Sequence, residues 1–160
     1  MDKIDFVPLS GIYEEEIIDL MNNREVGQYL PLLVGEFTAE SCRDFLKAKK
    51  RLWDDHGFGP WAILIHGEFA GWGGIQPEQG EADFGLVLHP KYWGWGRKIF
   101  NKIKDQAFNE MGFMSIIILL PPNRPNINAV KRFGFLEDGQ LTIDDQIFLR
   151  FRLNKPKFHK

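Results

Sequence analysis

The sequence predicts a mixed α/β fold, in which about four helices flank a largely antiparallel sheet of about seven strands. Two patterns predict it: short aromatic or β-branched runs between turn residues, and longer segments with apolar residues at helical spacing. The 160 residues suit one domain, and 14 Phe and 5 Trp provide apolar surface to offset the ordering entropy. We therefore expect one domain spanning residues 1–160.

Seven runs have the composition of strands. They lie at residues 4–8, 61–65, 69–76, 83–88, 114–120, 141–142 and 147–153. The run at 114–120 is too short for a helix and rich in isoleucine, which indicates a buried central strand. A turn at 66–68 and another at 78–80 connect the second, third and fourth strands as hairpins.

Four segments carry an apolar stripe at helical spacing. They begin at Tyr13, at residue 39, just after Gly96 and at Asn126, and the second extends to residue 55. Thr38 is a candidate N-cap for the second helix, and Gly134 is a candidate stop for the fourth. The predicted order is therefore β-α-α-β-β-β-α-β-α-β-β.

Composition excludes several classes of protein. A net charge of −2 argues against a protein held to nucleic acid by phosphate attraction. The single cysteine, Cys42, excludes an intrachain disulfide, and its apolar neighbours predict a buried, inert thiol. The four histidines lack metal-ligand spacing, so we expect no metal site. With no signal peptide or membrane-length apolar run, we expect a cytoplasmic protein, monomeric or homodimeric, that does not bind membranes.

The most informative segment lies between the fourth strand and the third helix. It reads Lys91-Tyr92-Trp93-Gly94-Trp95-Gly96-Arg97-Lys98. Two spaced glycines let a phosphate approach backbone N–H groups, and the helix N-terminus adds partial positive charge. A tight turn without a ligand would have the same glycines, so the pattern alone leaves both interpretations open. The sequence has neither a nucleotide P-loop nor the third glycine of the dinucleotide motif.

This segment resembles the pyrophosphate loop Q/R-x-x-G-x-G/A of the GNAT family of acyl-CoA-dependent N-acetyltransferases, with Lys91 in the Gln/Arg place. Asn123, which is followed by a helix and by Gly134-Phe135, resembles the second signature of the family, N-x-x-[A/S] followed by a helix and G-F. Asp83-Phe84-Gly85 is similar to the E-x-G strand of the branch that includes ribosomal-protein N-terminal acetyltransferases. The resemblance covers nearly the whole chain.

The resemblance implies where acetyl-CoA binds. The sheet of this family is splayed between strands 4 and 5, and pantetheine lies along strand 4 like an extra strand. That arrangement assigns the pantetheine to the main chain of Leu86, Val87 and Leu88. It assigns the pyrophosphate to Tyr92, Trp93, Gly94, Trp95, Gly96, Arg97 and Lys98. Asn123 is implied to bond near the pantetheine arm, whereas Asn126 either adds a second amide or only caps the fourth helix.

The implied reaction is direct transfer of acetyl to a primary amine in a ternary complex. A cationic amine must lose a proton first, and Asp83 and Glu81 are the candidate bases, unless they only begin the strand or position the substrate. Many family members carry a tyrosine that protonates the CoA thiolate at the position where this chain has Val130. The resemblance therefore implies that the thiolate leaves unprotonated or is protonated by water. The alternative is a CoA-binding regulatory or interaction module that does not catalyse.

The acceptor is implied to approach from the side of the sheet opposite the cofactor. A protein N-terminus and a small amine such as a polyamine both fit that role. The apolar connection at residues 26–37 carries Tyr29 and Leu33, which we expect to bind the acceptor, and the turn at 140–146 also reaches this mouth. Trp72 either packs in the core or forms a wall of the same groove.

Overall fold

The computed structural model describes residues 2–123 and 127–157. Its strands are β1 (Ile4–Val7), β2 (Pro60–Ile65), β3 (Glu68–Glu78), β4 (Glu81–Leu88), β5 (Ser115–Leu120), β6 (Leu136–Ile143) and β7 (Gln146–Asn154). Its helices are α1 (Glu14–Asn22), α2 (Arg24–Gly27), α3 (Ala39–His56), α4 (Gly96–Asp105) and α5 (Ile127–Arg132). No helix in these residues is long and apolar enough to cross a membrane.

The seven strands form one sheet in the order β1-β2-β3-β4-β5-β7-β6. Every neighbouring pair is antiparallel except β4 and β5, which are parallel. Parallel strands need a long crossover, and α4 supplies it between β4 and β5. The predicted mixed, largely antiparallel sheet of seven strands is confirmed.

Each face of the sheet buries its own apolar cluster. One cluster joins the sheet to α4 through Ile99, Phe100 and Ile103. The other joins the opposite face to α1 and α3, with Trp72 and Cys42 among its members. Cys42 is fully buried, as predicted, and burial raises the pKa of its thiol. The two faces therefore present different helices to anything that binds at the sheet.

Local structure differs from the sequence prediction in two places. Residues 24–27 form the short helix α2, because Asn23 Oδ1 accepts hydrogen bonds from the backbone N–H groups of Glu25 and Val26. β6 begins at Leu136 rather than near Leu141, since the turn-like Asp138-Gly139 lies inside the strand as a bulge. Gly139 has a φ of 83°, which glycine adopts without strain.

Replacing Thr38 with alanine is expected to lower the free energy of unfolding by about 1 kcal/mol. Thr38 is the N-cap of α3, and its Oγ1 accepts a hydrogen bond of 3.0 Å from the Ser41 backbone N–H. Denaturant unfolding measures the loss. Thr38→Ser keeps the hydroxyl and is the matched control, so equal losses in both variants would contradict the capping role.

Candidate active site

The sheet opens between β4 and β5. These strands pair only at Asp83 with Ile117 and at Phe84 with Ile118. On its other side, β4 pairs with β3 along its whole length. From Gly85 onward, the β5-facing edge of β4 therefore has no strand beside it in the described parts of the chain. The predicted splay is confirmed, and the open edge suits an extended ligand that bonds like a strand.

The main-chain groups of β4 alternate between β3 and this open edge. The carbonyl oxygens of Gly85 and Val87 face β3, because Cβ atoms built on Gly73 and Gly71 would lie 2.7 and 2.0 Å from them. Successive residues of a strand direct their main-chain groups to opposite sides, so Leu86 and Leu88 face the opening. Two of the three predicted cofactor residues on this strand are thus turned toward the slot, and Val87 is turned away.

A 3-10 helix over Pro90–Trp95 leads from β4 into α4. Gly96 has ordinary helical angles, with φ −54° and ψ −41°. A Cβ atom built at Gly94 or Gly96 would meet nothing within 4 Å. Neither strain nor packing among the described residues therefore requires glycine here. The glycines instead keep the approach to the N-terminus of α4 open, where partial positive charge favours an anion.

The side chains around this loop hold it in place and add charge. Trp93 Nε1 donates a hydrogen bond of 2.8 Å to the Leu88 carbonyl, which ties the loop to the end of β4. Lys98 forms an ion pair with Asp2, and Arg97 lies over the Phe133 ring at 5.6 Å from its centroid. Two further aromatic residues of the loop pack on the core beneath it, Tyr92 and Trp95.

The second predicted signature lies beyond β5. Asn123 is exposed, and its Nδ2 donates a hydrogen bond of 3.4 Å to the Gln28 carbonyl, so this loop contacts the segment that follows α2. Asn126 falls outside the described residues. Val130 on α5 is buried in the apolar cluster that joins the sheet to α4, and it carries no ionisable group.

On the face of the sheet that packs against α1 and α3, polar side chains converge beneath α3. Asp83 of β4 lies directly across from Gln76 of β3. Lys49 of α3 donates a hydrogen bond of 2.6 Å from Nζ to Gln76 Oε1, and its Nζ lies 4.9 Å from the centroid of the Trp72 ring. We call Lys49, Gln76, Glu78 and Asp83 the polar cluster beneath α3.

Burial shifts the ionisation of this cluster. It raises the pKa of Asp83 to about 8, with Glu78 adding to the rise and Lys49 opposing it. It lowers the pKa of Lys49 to about 8, although the carboxylates of Asp83 and Glu78 act to raise that pKa. Burial also raises the pKa of Glu78. A carboxyl group whose pKa is raised in this way exchanges a proton closer to neutral pH than an ordinary aspartate does.

Glu81, the other predicted base, is held by Arg152. The guanidinium forms two hydrogen bonds to the carboxylate, one of them 2.9 Å long from Nη1 to Oε1. That pairing keeps the pKa of Glu81 below its usual range. Arg152 Nε also donates to Asp138 Oδ2, at 2.9 Å. Glu81 is thus part of an ion-pair network that joins β4 to β6 and β7.

The predicted acceptor residues lie around the second apolar cluster. Trp72 is only 7% exposed, and its Nε1 donates to Met21 Sδ at 3.4 Å, so it packs in the core. One face of its ring also contacts Lys49. Leu33 packs on this cluster, and Tyr29 is half-buried in the same connection. Trp72 is therefore a core residue whose ring also borders the polar side chains beneath α3.

Lys49 and Gln76 were not predicted as site residues. A signal for Lys49 exists in the sequence, because helical spacing from Cys42 and Phe45 places position 49 on the buried stripe of α3. A lysine there is exceptional and points to a partner inside. Gln76 gave no such signal, since its register opposite Asp83 depends on the hairpin geometry.

Comparison with known proteins agrees with this geometry. The model of the acetyltransferase (GNAT) domain matches residues 7–136. The acetyltransferase from Agrobacterium tumefaciens str. C58 is similar in structure, with a TM-score of 0.78, 19% identity, and coverage of 95% of this chain and 91% of that one. Spermidine N-acetyltransferase from Vibrio cholerae, solved with CoA and spermine, has a TM-score of 0.75, 15% identity, and coverage of 96% and 95%.

The match spans more than half of the chain, so this protein belongs to the GNAT acetyltransferase family. It is therefore an acetyltransferase by family, with acetyl-CoA as the donor that the family uses.

Proposed function

We propose that this chain transfers an acetyl group from acetyl-CoA directly to a primary amine, and that it stands closest to the ribosomal-protein N-terminal acetyltransferase branch. The single observation that carries this proposal is the open edge of β4 leading into a loop whose two glycines have no structural need to be glycine. The main chain of Leu86 and Leu88 would bind the pantetheine arm there. The backbone from Tyr92 to Lys98 would bind the pyrophosphate.

Asp83 is the base in this proposal. Its carboxylate, directly or through a water molecule, takes the proton of the acceptor ammonium, so that the nitrogen lone pair can attack the thioester carbonyl. Asp83 is preferred to Glu81 because Arg152 already neutralises Glu81. A carboxylate whose pKa lies near 8 also holds a transferred proton better than one of low pKa.

The remaining steps need little from side chains. The main-chain N–H of Leu86, which faces the slot, would stabilise the oxyanion of the tetrahedral intermediate. The C–S bond then breaks, CoA leaves as a thiolate, and the second proton of the attacking nitrogen passes to solvent water. Val130 offers no acid at the position of the family tyrosine, and a thiol with a pKa of about 8.5 leaves without one.

A thiol-release assay with acetyl-CoA tests this proposal. The panel contains peptides with a free N-terminus, amino acid amides, alkylamines and spermidine. We expect thiol release that depends on the amine. Acetyl-CoA binding without release for any amine in the panel would contradict the enzyme and favour the alternative, a CoA-binding regulatory or interaction module.

A further inference from the structure

The amide of Gln76 has a fixed orientation. Its Oε1 accepts the hydrogen bond of 2.6 Å from Lys49 Nζ. An ammonium group only donates, so the oxygen must face Lys49 and the NH2 group must face the other way. Lys49 is itself held by the Trp72 ring, 4.9 Å from its centroid. Lys49 therefore determines which end of the Gln76 amide is presented to the rest of the site.

The NH2 end of Gln76 is directed toward β4. Nε2 lies 3.6 Å from the position that a Cβ atom of Gly85 would occupy. Gly85 immediately follows the last residue of β4 that pairs with β5. Within residues 2–123 and 127–157, no protein atom accepts a hydrogen bond from Nε2. A half-buried donor thus points at the start of the open edge, where a side chain other than glycine would cover it.

Asp83 and Gln76 are neighbours across the β3–β4 hairpin. Side chains at directly opposed positions of two antiparallel strands start about 5 Å apart. A base and a neutral hydrogen-bond donor so placed match two adjacent groups on one small molecule. An amine whose α-carbon carries a carbonyl group has those two groups, whereas a simple alkylamine has only the first.

We propose that Gln76 selects acceptors whose amine-bearing carbon also carries a carbonyl group, such as a peptide N-terminus or an amino acid amide, with Lys49 as its positioning residue. Gln76 Nε2 donates to the carbonyl oxygen, while Asp83 faces the amine. This inference rests on the proposed function, since it concerns the acceptor half of the same site.

The test compares phenylalanine amide with 2-phenylethylamine, which differ by the carboxamide group alone. The measured quantity is the ratio of their kcat/KM values with acetyl-CoA. Because the two amines differ in basicity, the reference is the same ratio in Gln76→Leu. We expect the wild-type ratio to exceed the Gln76→Leu ratio by about five- to tenfold, the effect of one neutral hydrogen bond.

Lys49 supplies a second, independent pair of variants. Lys49→Met frees the amide to turn, so we expect its ratio to fall to that of Gln76→Leu, and Lys49→Arg is expected to restore the preference. The KM for acetyl-CoA should stay near the wild-type value in each variant, because these side chains concern the acceptor. A general loss of structure would change this KM as well. Circular dichroism checks that each variant is folded.

The outcomes separate the two proposals. Equal ratios in wild type and Gln76→Leu, with both amines acetylated, would overturn the role of Gln76 and leave the acetyltransferase function standing. A wild-type kcat/KM for spermidine above that for phenylalanine amide would overturn the acceptor class. Absence of thiol release with every amine would overturn the proposed function itself, and this inference with it.

Discussion

Replacing Gly96 with glutamate is expected to weaken acetyl-CoA binding by at least about 100-fold and leave the fold intact. The new side chain would enter the space at the N-terminus of α4 that the pyrophosphate needs, and its charge would repel the phosphates. Losing two charge-assisted hydrogen bonds alone costs about 3–6 kcal/mol. Titration calorimetry measures the affinity, and thermal unfolding measures the stability.

The fold should tolerate this change for reasons visible at the site. Gly96 has helical backbone angles, nothing lies within 4 Å of a Cβ atom there, and an acidic residue in the first turn suits the helix dipole. Asn101→Glu is the matched control, because it adds the same charge to α4 at an exposed position beyond the first turn of the helix. Wild-type affinity in a folded Gly96→Glu protein would remove the loop from the binding site.

Replacing Asp83 with asparagine is expected to lower kcat/KM for an alkylamine by about 100-fold or more, the usual effect of losing a general base. It should also change the pH profile. A base that deprotonates an ammonium must be ionised, so wild-type kcat/KM rises with pH and levels near pH 8, the pKa of Asp83. Without that base, only the neutral amine reacts, and kcat/KM continues to rise toward the amine pKa of about 10.

Glu81→Gln is the matched control for this experiment, since it makes the same chemical change two residues away on β4. Arg152 holds Glu81, so we expect this variant to keep the break near pH 8 and to lose much less activity than Asp83→Asn. A profile that loses its break in Glu81→Gln and keeps it in Asp83→Asn would assign the base to Glu81 instead.

The sequence predicted those features that depend on local pattern. The splayed sheet and the loop between β4 and α4 followed from the glycine motif and the resemblance it supports. The polar cluster beneath α3 did not follow, because Lys49 and Gln76 lie 27 residues apart and meet only when α3 packs on β3. The long β6 was also missed, since Asp138-Gly139 has the chemistry of a turn and is held as a strand bulge by pairing with β7.

Kinetics with both substrates varied test the central claim, direct transfer in a ternary complex, most directly. Initial rates of acetylated amine formation, measured while acetyl-CoA and phenylalanine amide are both varied, distinguish direct transfer from transfer through an acyl-enzyme. Direct attack within a ternary complex predicts intersecting double-reciprocal lines, with one thiol released for each acetylated amine. Parallel lines, or thiol release without any acetylated amine, would contradict it.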